Sequence, residues 1–568
     1  MLAGPLFVRE TLTAPRQFRH FLFRAGYLGA LFVLMYTAAQ VTFGWQIVRN
    51  ISDIARFGEL TFQIFSLVQL TLTLFFAVLF SAGNVAQEKD RRTLLMLLVT
   101  DLRDSELVLG KLCASLLLPV VLVGVSVPAF VFVYWLGGVS LDQIGWVVGI
   151  SLAAAFAGGA WGTLVAYWRE KTFQTLAICL IGVVLFLATI EGAIVLTPAT
   201  ATVLGPLNPF RAVLTVLDPF NAPDYGRAAL GCIGALSLLG IGLTAATILQ
   251  LRLWNPSRMV TEMKSQEEGE SERTRSARAV WEHPVIWREM RTRAYGRKVV
   301  LIKLAYLVLA IAAFAVIGQT PVDAALVLGM VPPSGCAFVG LGLLALLLVN
   351  TQAVTSLTSE RDANTLELLL VTEVTPREFV YGKLGGILYN TKEVIAAPLV
   401  FMLWQTAIGH WTWEHALYLT AGYAVLVLFS AMLGLHFGLT YGYSRQAIAN
   451  SLATMFFLFG GIFICMLLIV QARSSFAVQL PNFIVFILGG SLGLGAALTH
   501  RNPSPALWLA ASMLPFCTFY VITSYLLGQT LGVCLFICAA YGFTTIAMLV
   551  PAVSEFDIAL GRSAQDRG

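Results

Sequence analysis

Apolar runs of about twenty residues recur from residue 27 to residue 553, and a chain built this way cannot have water as its solvent throughout. Composition agrees: hydrophobic residues make up 58% of the 568 and charged residues 12%, far from the balance that a soluble surface requires. Six runs long enough to cross about 30 Å of hydrocarbon fall in the first half, at 27–48, 62–83, 112–136, 144–168, 173–196 and 228–251. Eight follow, at 299–317, 336–358, 394–411, 416–440, 448–470, 483–498, 506–527 and 531–553. The run at 483–498 is short and rich in glycine (Gly489, Gly490, Gly493, Gly495), so a re-entrant hairpin stays open there. The expected fold is an all-α polytopic membrane protein with about 12–14 transmembrane helices.

Charge placement sets the expected orientation. Short cytosolic loops retain Lys and Arg, because translocating them is unfavourable. With the N-terminus inside, only Arg49, Arg56, Arg211, Arg227 and Arg473 of the 36 Lys and Arg residues fall on the outer side. Both termini are then cytosolic, in a bacterial-type cytoplasmic membrane. The basic start (Arg9, Arg16, Arg19, Arg24) leads into a run too long for a signal-peptide core, which reads as an uncleaved anchor. The net charge of +5 is thus a matter of where charges lie, and is no pointer to nucleic acid. The eight cysteines lie in or beside the apolar runs without a CxxC or a neighbouring His cluster, which supports neither a zinc site nor a disulfide framework. The one long hydrophilic stretch between runs, 252–299, carries eleven Lys and Arg and seven Glu, the composition of a solvated linker.

The two halves share a repeat. After the second run the chain reads Glu88-Lys-Asp-Arg-Arg-Thr93-Leu-Leu-Met-Leu-Leu-Val-Thr100, then Glu106 and Gly110-Lys111. A segment 272 residues later reads Glu360-Arg-Asp-Ala-Asn-Thr365-Leu-Glu-Leu-Leu-Leu-Val-Thr372, then Glu378 and Gly382-Lys383. Twelve of the 24 aligned positions are identical without a gap. A second echo precedes the first run of each half: Pro5-Leu-Phe-Val-Arg9-Glu10 and Pro284-Val-Ile-Trp-Arg288-Glu289. Six spans separate the two starts, so the repeats are parallel and related by an axis along the membrane normal, which encloses a central pathway between them.

The repeated segment has the chemistry of a docking element. Leu94, Leu95, Leu97 and Leu98, matched by Leu366, Leu368, Leu369 and Leu370, form an apolar face flanked by charge and outside any span, which must bury itself against lipid headgroups or a partner. Thr375-Pro376-Arg377-Glu378 is a capping box with proline at the first helical position, whereas Arg103-Asp104-Ser105-Glu106 keeps the glutamate and lacks the Thr cap. The plainer alternative is an interfacial helix that anchors the loop.

The pattern E-K/R-D-x-x-T-L-x-x-L-L-x-T, followed by E and G-K, resembles the loop between the second and third helices of ABC-2 type transporter permeases. There the loop holds a coupling helix seated on the ATP-binding subunit. The Pro-x-x-x-Arg-Glu element is similar to the connecting helix that precedes the first span in that family. The resemblance implies that Glu88, Asp90, Thr93, Leu94, Thr100, Glu106 and Lys111, with Glu360, Asp362, Thr365, Leu366, Glu367, Thr372, Glu378 and Lys383, form or brace two couplers. Arg9, Glu10, Arg288 and Glu289 fall in connecting helices. It also implies a division into a first transmembrane half (1–251), a charged linker with connecting helix (252–298), a second half (299–500) and an additional C-terminal helix pair and tail (501–568). The family often has Gly before Thr-Leu-Glu, where this chain has Arg92-Thr93-Leu94-Leu95 and Asn364-Thr365-Leu366-Glu367, so the first copy is the more divergent.

No GxxxxGK[ST] occurs, so the chain binds no cofactor through a P-loop; ATP and Mg are expected on a separate ATP-binding subunit, in two copies for two couplers. Ionisable groups within spans are costly and mark candidate functional positions. Glu191 is the candidate pathway residue, and His436, Lys392 and Glu393 read as packed or paired. Small-residue spacings at Gly158/Gly162 and Gly434/Gly438 suit close helix packing. Three functions compete. The first is the permease component of an exporter driven by ATP. A secondary transporter comes next, for which convergent midplane charges are sparse. A membrane-embedded enzyme is third, and no constellation with catalytic spacing supports it.

Overall fold

The computed structural model describes residues 7–8, 18–43, 50–91, 93–255, 283–291, 299–321, 326–327, 331–362, 365–366, 374–472, 476–500 and 504–554. Among them the elements are helices, with one isolated bridge between Val327 and Val331. In hydrocarbon each backbone N–H and C=O needs a partner within its own segment, and the helix supplies it. The first half comprises α1 (Phe18–Phe43), α2 (Ile51–Asp90), α3 (Thr93–Val99), α4 (Asp104–Leu136), α5 (Leu141–Trp168), α6 (Thr172–Leu196), α7 (Pro209–Leu217) and α8 (Tyr225–Trp254). After α9 (Pro284–Arg291) come α10 (Val299–Gln319), α11 (Pro333–Asp362), α12 (Pro376–Asn390), α13 (Lys392–Ala407), α14 (Trp413–Thr440) and α15 (Ser444–Ala472). The chain closes with α16 (Phe476–Leu498), α17 (Pro505–Leu526) and α18 (Thr530–Ser554).

Thirteen of these helices are long and apolar enough to cross a membrane, or fourteen when α12 and α13, bent by 56° at Thr391, count as one span. The glycine-rich run forms part of the continuous helix α16 and makes no re-entrant hairpin: glycine lowers helix propensity, but a span surrounded by apolar partners has no better way to satisfy its backbone. The second run is longer than its apolar part. α2 has 40 residues, about 60 Å at 1.5 Å per residue, so it outreaches the hydrocarbon and carries Glu88 and Asp90 on its last turn, where a loop was expected.

Each half is organised around one close helix pair. In the first, α2 lies against α5 and glycine sets the approach: a Cβ on Gly158 would meet Leu74 Cδ1 at 2.8 Å, and one on Gly162 would meet the Val78 carbonyl oxygen at 2.6 Å. In the second, α11 lies against α14, where a Cβ on Gly434 would meet Ala353 Cβ at 2.6 Å and one on Gly438 would meet Leu357 Cδ1 at 3.0 Å. Both small-residue spacings therefore serve close packing. On the far side of these pairs α8 covers α5, and α18 covers α14.

The halves then pack reciprocally. α10 lies on α6, and α1 lies on α15 and α16; α6 touches α11, α15 touches α2, and α2 meets α11. Phe75 of α2 packs on Phe456 of α15 with ring centroids 5.4 Å apart.

Candidate functional site

The repeated segments build two similar corners at one end of the bundle. In the first, the end of α2 turns through Arg91 into α3, and α4 starts at Asp104. Lys111 of α4 is bonded to Glu88 of α2, tying the two helices that flank α3. Lys89 donates to the Tyr167 and Arg169 carbonyls, the latter at 3.0 Å, which fastens α2 to the turn between α5 and α6. Thr93 Oγ1 donates back to the Glu88 carbonyl at 3.3 Å.

The second corner repeats each contact. Lys383 of α12 pairs with Glu360 of α11 at 2.8 Å. Arg361 donates to the Gly438 carbonyl at 2.7 Å and to that of Tyr441, in the turn between α14 and α15. Thr365 Oγ1 donates to the Glu360 carbonyl at 3.1 Å. Leu94 and Leu366 are both buried. Glu88, Lys111, Glu360 and Lys383 of the repeated segments are thus internal braces, and Lys89 and Arg361 hold the corners to the next helical turn.

Here α9 joins the brace. Lys383 Nζ lies 2.7 Å from Glu289 Oε1, both side chains fully buried, and Arg288 contacts Glu289 at 3.1 Å and Glu360. A Cβ on Gly386 would strike Glu289 Cβ at 2.5 Å, so glycine lets α9 come down on α12. Burial opposes ionisation of Glu289, but the Lys383 ammonium and then the Arg288 guanidinium outweigh it and hold the carboxyl below its ordinary value. The matching Arg9 and Glu10, and Glu367 and Thr372 of the second repeated segment, lie outside the described residues.

The apolar face differs from the sequence expectation. Leu94 is buried and Leu97 and Leu98 are half-buried against Val85, Leu107, Val108 and Tyr167, so this face is satisfied by the protein's own helices. Met96 and Val99, 73% and 86% exposed and three residues apart on α3, form the edge that remains open. A seven-residue helix between two packed helices buries whichever side faces them, and the repeat's shared leucines mark that inward side.

Helix starts follow their caps. Thr375 Oγ1 accepts from Glu378 N at 3.2 Å while Thr375 N donates to Glu378 Oε2 at 3.0 Å, a complete box. At α4 only the return bond exists, from Arg103 N to Glu106 Oε2 at 3.2 Å. Thr100 Oγ1 donates to the Leu97 carbonyl at 2.6 Å and ends α3.

Glu191 lies away from both corners. Arg211 Nε and Nη2 grip its two oxygens at 3.2 and 3.1 Å, and Asn208 Nδ2 donates to it at 2.7 Å. Asn208 also caps α7, accepting from Phe210 N at 2.9 Å, so the carboxylate fastens α7 to the end of α6. His436 Nε2 is 2.8 Å from the Leu498 carbonyl, Glu393 pairs with Lys303 at 2.7 Å, and Lys392 sits 4.1 Å over the Tyr389 ring. Among the described residues no group of three or more His, Cys, Asp and Glu converges as metal ligands would. The arrangement ties neighbouring helices together through paired charges.

A helical bundle of this kind, with apolar spans throughout, is a multi-pass membrane protein. Residues 33–249, which lie within the first half, match the family described as ABC-2 family transporter protein. No curated protein and no solved structure matches the chain.

Proposed function

We propose that the chain is the transmembrane permease component of an ATP-driven exporter, carrying both transmembrane halves and seated on two separate ATP-binding subunits through segments 88–111 and 360–383. The observation that carries this reading is the duplicated corner. A Glu–Lys brace, a second cation on the next turn's carbonyls and a buried leucine recur at the same spacing in both halves. A braced corner with the exposed apolar edge of α3 suits the transfer of a partner's motion into the spans. On this reading ATP and Mg belong to that partner, and the distribution of Lys and Arg supports a cytosolic side for the corners and termini.

The second half consists of α10 to α15 together with α18, and α16–α17 are an inserted pair. This reading rests on α18 covering α14 as α8 covers α5, and on α10 packing against the first half as α1 packs against the second. On this reading the second half takes in α18, which a division at 500 leaves outside.

Capture of the co-expressed ATP-binding subunit tests the exporter reading. Replacing the exposed pair in M96S/V99S is expected to reduce capture at least tenfold at matched expression, while M96L/V99I retains it. Equal capture by both variants and the unaltered chain would count against docking at this edge.

A further inference from the structure

Where the halves meet beside the corners, α2, α11 and α15 leave a small cavity lined by Phe80, Gln87, Asp90, Asp362 and Arg445. Asp90 and Asp362 are repeat equivalents, yet they are held differently. Asp90 accepts from the Thr172 hydroxyl within its own half. Asp362 takes Nε and Nη2 of Arg91 on one oxygen, at 3.2 and 3.1 Å, across the seam. The position matching Arg91 is Ala363, so the repeat supplies one guanidinium here where strict duplication would supply two. Arg91 is 43% exposed and the Asp362 side chain only 5%, so Arg91 brings a cation from the rim to a buried carboxylate that shares the cavity with Asp90 and Arg445.

We propose that the Arg91–Asp362 pair is a latch that holds the two halves together at the corner end and closes the mouth of the cavity between them. Both residues stand inside the repeated segments, so relative movement of the corners loads this bond early. When this bond breaks, Lys89 and Arg361 keep each corner intact, so the corners part as units at this end of the seam. The latch does not depend on the exporter reading, because it concerns contacts within this chain.

The test uses the purified full chain with Ala449, which lines the cavity, changed to Cys, and follows its rate of reaction with a charged maleimide above the background of the native cysteines. Asp362→Arg is expected to raise the rate at least fivefold, and the swapped pair R91D/D362R to return it within twofold of the starting value. Arg91→Gln removes the bond at a half-exposed position without placing a new charge inside, and is expected to raise the rate at least twofold even if Asp362→Arg does not fold. An unchanged rate in Arg91→Gln, or a swapped pair as reactive as the single reversal, would overturn the latch. Neither result bears on capture of an ATP-binding subunit, so the two proposals fail separately.

Discussion

Lys383 is a fully buried ammonium between Glu289 and Glu360, and its removal leaves two carboxylates with less charge than they need. Lys383→Met is expected to destabilise the folded chain by about 3–5 kcal/mol, the usual cost of breaking a buried pair from one side. Thermal unfolding in detergent measures it. Glu289 adds a pH signature. Its folded pKa lies below the ordinary 4.5, so its ionised form contributes stability that is present above pH 4.5 and lost as pH falls through the lowered value. Glu289→Gln should flatten the loss of stability as pH falls below the ordinary 4.5, and leave the profile near neutrality parallel to the original. The repeat made Glu289 and Lys383 visible as recurring residues, but gave no sign that they touch. They stand 94 positions apart, and only the seating of α9 on α12 brings them together.

Helix starts were legible at the level of the single element because capping is local. The box at Thr375–Glu378 and its half-formed counterpart at Arg103–Glu106 follow from the side chains alone. Thr375→Ala should cost about 0.5–2 kcal/mol locally, read as faster amide exchange over 376–380, whereas Arg103→Thr should slow exchange at the start of α4. Close packing was equally legible, since glycines four apart have few other uses in a span. Gly162→Ala puts a methyl group against a backbone oxygen and is expected to cost about 1–3 kcal/mol in thermal unfolding. Gly145→Ala, on the same helix with nothing nearby, is the control that should lose no stability. The outward edge of α3 was not legible. Met96 is one of a run of apolar residues, and which of them face out depends on where Val85, Leu107 and Tyr167 sit.

At the scale of the whole molecule, the apolar runs and the 272-residue offset carried the fold class and the duplication. The order of assembly lay beyond them, because hydropathy says that a segment crosses lipid and not which neighbour it meets. Arg91 and Asp362 show the limit well: both stand in the repeated motif, but their pairing needs α2 and α11 to meet at the seam. The arrangement of the last three helices has a consequence of parity. If α18 is to lie on α14 as α8 lies on α5, the polypeptide must enter it from the same face of the bilayer, and an extra segment placed before it must cross and come back. One added span would have delivered the final helix upside down, with its apolar surface intact and its contacts with α14 reversed. Two spans, α16 and α17, leave the direction of travel unchanged, so on the proposed division of the chain they add bulk beside α1 while α18 keeps its place on α14.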